Sequence, residues 1–179
     1  MTTTYVAFLR AVNVGKRAYP MAELRSALTA AGFEDVETHI QTGNVRFRTS
    51  LRSRTVVVEQ LEAAMLADRG FEVPVVLMTP AELVEVHEEA LELEQGRELT
   101  GHHLVLLARP AYAKGIAALE ARSTEGEEVH VGERAVHLLL TGRKFHEART
   151  GNAEVERHAG TATTRSLTVI TKLTEKWSP

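Results

Sequence analysis

The chain has no cysteine. Disulfides, thiolate catalysis and Cys-ligated zinc are therefore excluded together. Aromatic residues make up only 5% of the 179 residues, so the core must be built mainly from Leu, Val and Ala. No apolar run approaches the ~18 residues of a membrane span. The N-terminus lacks the charged-then-apolar layout of a signal peptide. These absences predict a soluble cytoplasmic protein with no membrane partner. Strong positive charge is missing too. Net charge is -3 and the pI is near 6.3, which argues against nucleic acid as a partner, since phosphate-backbone binding needs a basic surface.

The common catalytic signatures are also absent. There is no G-x-x-x-x-G-K-S/T loop, no G-x-G-x-x-G turn and no G-x-S-x-G elbow. His87 opens "HEEAL", but Leu91 stands where the second histidine of H-E-x-x-H belongs. His102 and His103 are adjacent, and in a strand they point to opposite faces and cannot share a metal. The other histidines are dispersed. No metal site and no cofactor is expected.

What is present is a patterned chain with 44% hydrophobic residues, enough for two small cores. Thr4 to Arg10 reads as a strand, and Pro20 to Ala31 as a helix with Met21, Leu24 and Leu28 at helical spacing, stopped by Gly32. Val36 to Ile40 and Asn44 to Thr49 read as strands joined by "QTGN", a hairpin signal. A helix over Thr55 to Asp68 and a strand over Val73 to Met78 complete a β-α-β-β-α-β order, the ferredoxin-like arrangement. Ala81 to Glu94 is a strongly acidic helix. It reads as an acidic docking surface or, preferably, as the solvated face of an amphipathic connector.

A second series follows. His103 to Ala108 reads as a strand, Ala111 to Ala121 as a helix, and Glu127 to Val131 with Arg134 to Leu140 as a hairpin around "GE". Phe145 to His158 and Thr164 to Lys176 read as helices, so a helix stands where the last strand of the first series stood. The expected fold is α+β: two ferredoxin-like halves with antiparallel sheets. Residues 1–98 hold the first half and the acidic connector, and residues 99–179 hold the second half, ending in helices.

Three polar, basic segments stand out. Arg10, Asn13, Gly15, Lys16 and Arg17 follow the first strand, Thr42, Gly43 and Asn44 tip the first hairpin, and Thr161 to Arg165 precede the last helix. Singly, each has a plain structural use as a turn or a helix cap. Topology combines two of them. In the ferredoxin-like order the first and third strands are antiparallel neighbours, so Arg10 and the Asn13–Gly15 loop lie beside the Thr42–Asn44 turn. A glycine-bearing backbone with arginine and lysine suits a carboxylate or phosphate. Arg46 and Arg48 share one face of their strand, and Val45 and Phe47 the other.

The stretches "YVAFLRAVNVG", "MAELRSALTAAGFEDVETHIQTGNVRF" and "TTRSLTVITKL" resemble a bacterial family, domain of unknown function 1697. The likeness is densest at Tyr5–Phe47 and Thr163–Leu173, and it covers Arg10, Asn13, Gly15, Met21, Gly43, Asn44, Thr164 and Arg165. It implies paired ferredoxin-like modules and no established activity. The chain departs from the family pattern in several places. Lys16 replaces a second glycine, Thr42 a serine, Ser166 and Leu167 an Asn-Trp pair, and Val169 a threonine. Without that tryptophan, the stacking platform for a base is gone.

The leading functional reading is a soluble binding module for a small anionic or nucleotide-like ligand. Its candidate ligand-binding residues are Arg10, Asn13, Gly15, Lys16, Arg17, Thr42, Gly43, Asn44, Thr164 and Arg165. The second is an enzyme on a phosphorylated or carboxylated substrate, with His39 or His146 as acid or base, though neither is placed near a nucleophile. The third is RNA binding through an open sheet face. "GNVRF" is similar to the strand-three motif of RNA-recognition domains, but the paired stacking aromatics are missing.

Overall fold

The structure is a computed structural model and describes residues 1–179. The chain divides into two compact units, Met1–Pro80 and Ala81–Pro179. The first unit runs β1 (Thr3–Leu9), α1 (Met21–Ala30), β2 (Glu34–His39), β3 (Asn44–Thr49), α2 (Arg54–Arg69) and β4 (Val75–Met78). Its sheet has the order β2-β3-β1-β4 with every neighbour antiparallel. That is the ferredoxin-like topology the element order predicts.

Strand alternation builds its core. Tyr5, Ala7, Leu9, Val45, Phe47, Val75 and Leu77 face α1 and α2, which supply Leu24, Leu28, Leu61 and Met65 among others. Phe33 meets Phe47 edge to face at 4.9 Å. Each fully buried Val, Leu, Phe or Met side chain among these contributes about 1.5–3 kcal/mol by leaving water. Ser53 accepts from the Val56 amide to start α2, and left-handed Gly70 ends it. Pro74 cannot donate to a ladder, so β4 begins at Val75 rather than at Val73. β2 starts earlier than the alternation suggests. The register shifts between Glu34 and Glu37, where Asp35 has φ 49°, and this bulge masks the period.

The second unit contains α3 (Pro80–Glu94) from its second residue on, then β5 (Gly101–Leu107), α4 (Ala113–Glu120), β6 (Glu127–Val131) and β7 (Ala135–Leu140). A 3-10 turn (Phe145–Glu147), α5 (Asn152–Ala159), β8 (Ala162–Ser166) and α6 (Leu167–Trp177) complete it. The acidic helix therefore goes with the second unit rather than the first. Sheet order is β6-β7-β5-β8, the same permutation as in the first unit.

Two expectations here are corrected. The second half does have its fourth strand: β8 pairs antiparallel with β5 from His103↔Ser166 to Leu107↔Ala162. The segment from Thr164 is thus strand first and helix only from Leu167, with Ser166 accepting from the Val169 amide as the cap. Phe145 to His158 is not one helix either, because Gly151 in extended conformation separates the 3-10 turn from α5. No helix is long and apolar enough to cross a membrane.

Candidate functional site

β1 ends at Leu9, whose amide donates to the Gly43 carbonyl at 2.8 Å. The Arg10 amide donates to Pro74 at 2.9 Å on the other side. Phe8 stands opposite Asn44 in the ladder. The loop after β1 and the tip of the β2–β3 hairpin therefore form one edge. Gly43 marks their closest approach. It has φ +76°, and a Cβ there would lie 2.6 Å from Val12 Cγ2 and 2.7 Å from Leu9 Cβ. Only glycine fits that position.

Asn13 is the clip of this edge. Its Nδ2 donates to the Tyr19 carbonyl at 3.0 Å and the Gln41 carbonyl at 2.6 Å, while its Oδ1 accepts from the Tyr19 amide at 2.7 Å. The backbone closes with Asn13 N–H to Arg17 O at 2.8 Å and Arg17 N–H to Val14 O at 3.1 Å. Beneath it, Tyr19 is buried. Burial, with Asp68 nearby, pushes its hydroxyl up to about 12. Ala11, Asn13 and Gly15 have φ of 55°, 55° and 60°, and Ile40 across the edge has 50°. Left-handed residues are uncommon outside glycine and cluster where the fold over-determines them.

The structure divides the ten candidate residues. Arg10, Asn13, Gly15, Lys16, Arg17, Thr42, Gly43 and Asn44 share the first unit's edge, and Thr164 and Arg165 belong to β8 of the second unit. Within the edge, several have structural work. Arg17 donates to the Glu72 carbonyl and lies 4.8 Å from the Phe71 ring centroid. Asn44 is fully buried and donates to His39 O at 3.1 Å and Thr42 Oγ1 at 3.0 Å. Arg46 pairs with Glu37 and Arg48 with Asp35, so neither serves the edge. Lys16 and Gly15 are exposed and Arg10 is half-buried. In β8, Arg165 is buried and donates to Thr163 Oγ1 and the Thr164 carbonyl. Burial lowers its pKa to about 10.

Of the alternative candidates, His39 ends β2 half-buried, and His146 lies exposed in the 3-10 turn. Phe47 sits in the core against Tyr5 and Phe33. It offers no platform to a base.

Sequence reasoning overlooked a second group. His102 and His103 do face opposite ways, as strand geometry requires. His103 stacks on Phe145 at 4.1 Å between ring centroids, whereas His102 is buried against His137 on β7, Nε2 to Nδ1 at 3.1 Å. The register pairs His102 with Leu139 and Leu104 with His137, which makes the two histidines diagonal neighbours on one face. Acidic α3 reaches the same unit's sheet. Glu82 pairs with Arg134, Glu89 with His137 and Glu94 with His102. It is more than a solvated connector.

No curated protein matches the chain. Among solved structures, the conserved bacterial protein SP0830 from Streptococcus pneumoniae superposes with a TM-score of 0.75 at 23% identity, covering 99% of both chains. At that identity the likeness shows the fold alone. The family described as "Protein of unknown function (DUF1697)" matches residues 1–137, which include β1 to β4 and the whole loop-and-hairpin edge, and the chain belongs to that family.

Proposed function

We propose that the first unit binds a small anion, such as a phosphate or carboxylate group, at the edge formed by the Arg10–Arg17 loop and the Thr42–Asn44 tip. The observation that carries this reading is the alternation of left-handed Ala11, Asn13 and Gly15 with ordinary residues between them. Left-handed residues set among ordinary ones are the backbone pattern of anion-binding concavities; here the Asn13 amide closes the loop on Arg17, so the concavity is left to the other amides of the loop. The three hydrogen bonds of Asn13 hold the loop in that shape before any ligand arrives, and preorganisation of this kind reduces the entropy lost on binding. Arg10 provides a guanidinium at the strand end, and exposed Lys16 adds attraction that salt screens.

The roles differ from residue to residue. Arg10 and Lys16 supply charge, Gly15 supplies backbone approach, and Asn13, Arg17, Gly43 and Asn44 supply shape. Titration calorimetry with inorganic phosphate at low salt tests the reading. Arg10→Met is expected to weaken binding at least tenfold, ~1.4 kcal/mol, with the melting temperature kept within a few degrees. Absence of phosphate binding to the unmodified chain, or binding that Arg10→Met leaves unchanged, overturns it.

A further inference from the structure

The second unit holds four titratable groups in a row that an anion site in the first unit does not use. Glu94 Oε1 lies 3.4 Å from His102 Nδ1, His102 Nε2 lies 3.1 Å from His137 Nδ1, and His137 Nε2 lies 3.3 Å from Glu89 Oε2. The two imidazole side chains are 1% and 0% exposed, the two carboxylates 38% and 40%. Both carboxylates come from α3 and both rings from the adjacent strands β5 and β7. Each end meets a hollow. One of about 480 Å³ is lined by Glu94, His102, Thr171 and Lys172, among others, and one of about 440 Å³ by Glu89, Glu133 and Arg134, among others.

Counting protons decides what the row can do. Three contacts join four groups, and each contact needs one proton to be a hydrogen bond. Two neutral imidazoles bring only one N–H each. One sits between the rings, so one outer ring nitrogen faces its carboxylate with a bare lone pair. His102 Nδ1 and His137 Nε2 are both buried polar atoms without a formed hydrogen bond, so at either end the carboxylate has to turn further in to close its contact. One added proton would satisfy all three contacts. A second would set N–H against N–H across the 3.1 Å inner contact and break the pair.

The geometry assigns this row as a one-proton site and relay, in which His102 and His137 share a single added proton and exchange it with the hollows at Glu94 and Glu89. Passage balances. A proton arriving from Glu89 binds His137 Nε2, the His137 Nδ1 proton moves to His102 Nε2, and the His102 Nδ1 proton leaves to Glu94. Both rings end as the opposite tautomer, and the return trip restores them. A small molecule seated against Glu94 with an exchangeable O–H or N–H group would draw on this proton.

The surrounding charges leave the row distinct. His130 stands opposite His137 on β6 but is 3.3 Å from Glu128. Arg97 donates to that same carboxylate at 2.6 Å. Arg165 on β8 is in register with Leu104 of β5, which lies between it and His137. His103 faces the other side, and His87 on α3 contacts Thr171. From α6, Lys172 and Glu175 line the Glu94 hollow, and Glu85, Glu88 and Glu92 of α3 line the other. Burial, then the charge of His137, holds His102 down to about 3; the His137 part of that lowering opposes a second charge on the pair.

Long-range proton–nitrogen NMR on the full 15N-labelled chain, titrated through the pH range where it stays folded, tests this. The expected result is one step in which the ring nitrogens of both residues move together with a summed uptake of one proton. Of the two rings Glu89 touches only His137, yet Glu89→Gln is expected to shift the His102 curve as well as the His137 curve. Glu94→Gln is expected to do the converse. Separate steps of full amplitude, no titration of either ring while the chain is folded, or a His102 curve unmoved by Glu89→Gln would overturn the assignment. Both substituted carboxylates are more than a third exposed, so these variants keep the test available even if His137→Gln does not fold.

Discussion

Asn13 shows how one side chain can be read in two ways. As a polar residue in a basic loop it suggested a ligand contact. In the folded chain every hydrogen-bonding atom of its amide group is engaged within the loop and hairpin edge. Its left-handed backbone, φ 55°, suits Asn better than Ala. Two substitutions separate these contributions. Asn13→Gly keeps the backbone conformation and loses only the side-chain bonds, expected to cost ~1.5–3 kcal/mol. Asn13→Ala loses the same bonds and adds the cost of forcing a Cβ into the left-handed region, ~1 kcal/mol more. Urea unfolding of both variants checks the order. Equal losses would show that the loop relaxes to an ordinary backbone once the amide is gone. Serving the loop and contacting a ligand make similar demands on sequence, so the distinction was not visible there. The glycine at 43 was plainer, since a hairpin tip called for it and Leu9 and Val12 leave no room for a Cβ.

At the level of elements, legibility followed burial pattern. β1, β5 and β7 are apolar enough to stand out, β3 shows a plain alternation, and the hairpins carry glycine or short polar turns. β8 did not stand out because its sequence is ATTRS. Thr163 and Arg165 are buried there through hydrogen bonds and ladder position, not through apolar character. β-branched threonine is a good strand former, but a polar run just ahead of an amphipathic helix also reads as its cap. The break between the 3-10 turn and α5 has a similarly hidden cause. Glu127, at the start of β6, is fully buried and accepts from the amides of Arg149 and Thr150 at 2.8 Å each. No local pattern links residues so far apart. Glu127→Ala would leave two amides unpaired, that of Thr150 in a buried position, and is expected to cost ~2–5 kcal/mol. Glu127→Gln keeps one good acceptor and is expected to lose less. Comparable losses for the two would mean that water replaces the carboxylate. Thermal unfolding distinguishes these results.

For the whole molecule, the repeated strand order was legible, and α3's place was not. Its six glutamates suggested a solvated surface, yet Glu82, Glu89 and Glu94 turn to Arg134, His137 and His102. That choice depends on what the sheet presents, which only the register reveals. The buried groups together fix a pH window. Burial, followed by His137, lowers His102 from 6.5 to about 3, and burial lowers His103 as well. Below 6.5 the unfolded chain therefore binds more protons at these sites than the folded chain. Their contribution is complete above pH 6.5 and is lost progressively as pH falls toward 3. The slope from each group is at most ~1.4 kcal/mol per pH unit. Glu62 has the opposite sign, because burial raises its pKa from 4.5. It favours the folded state as pH falls through that raised value and offsets part of the loss. On the alkaline side, Tyr19 is raised from 10 to about 12. The unfolded chain releases that proton first, so stability declines above pH 10. The expected profile is a plateau between about 6.5 and 10 that falls on both sides. Urea midpoints measured across pH check it. His102→Gln is expected to flatten the acid limb, and Tyr19→Phe the alkaline one. An acid limb unchanged by His102→Gln would place its origin in the carboxylates instead.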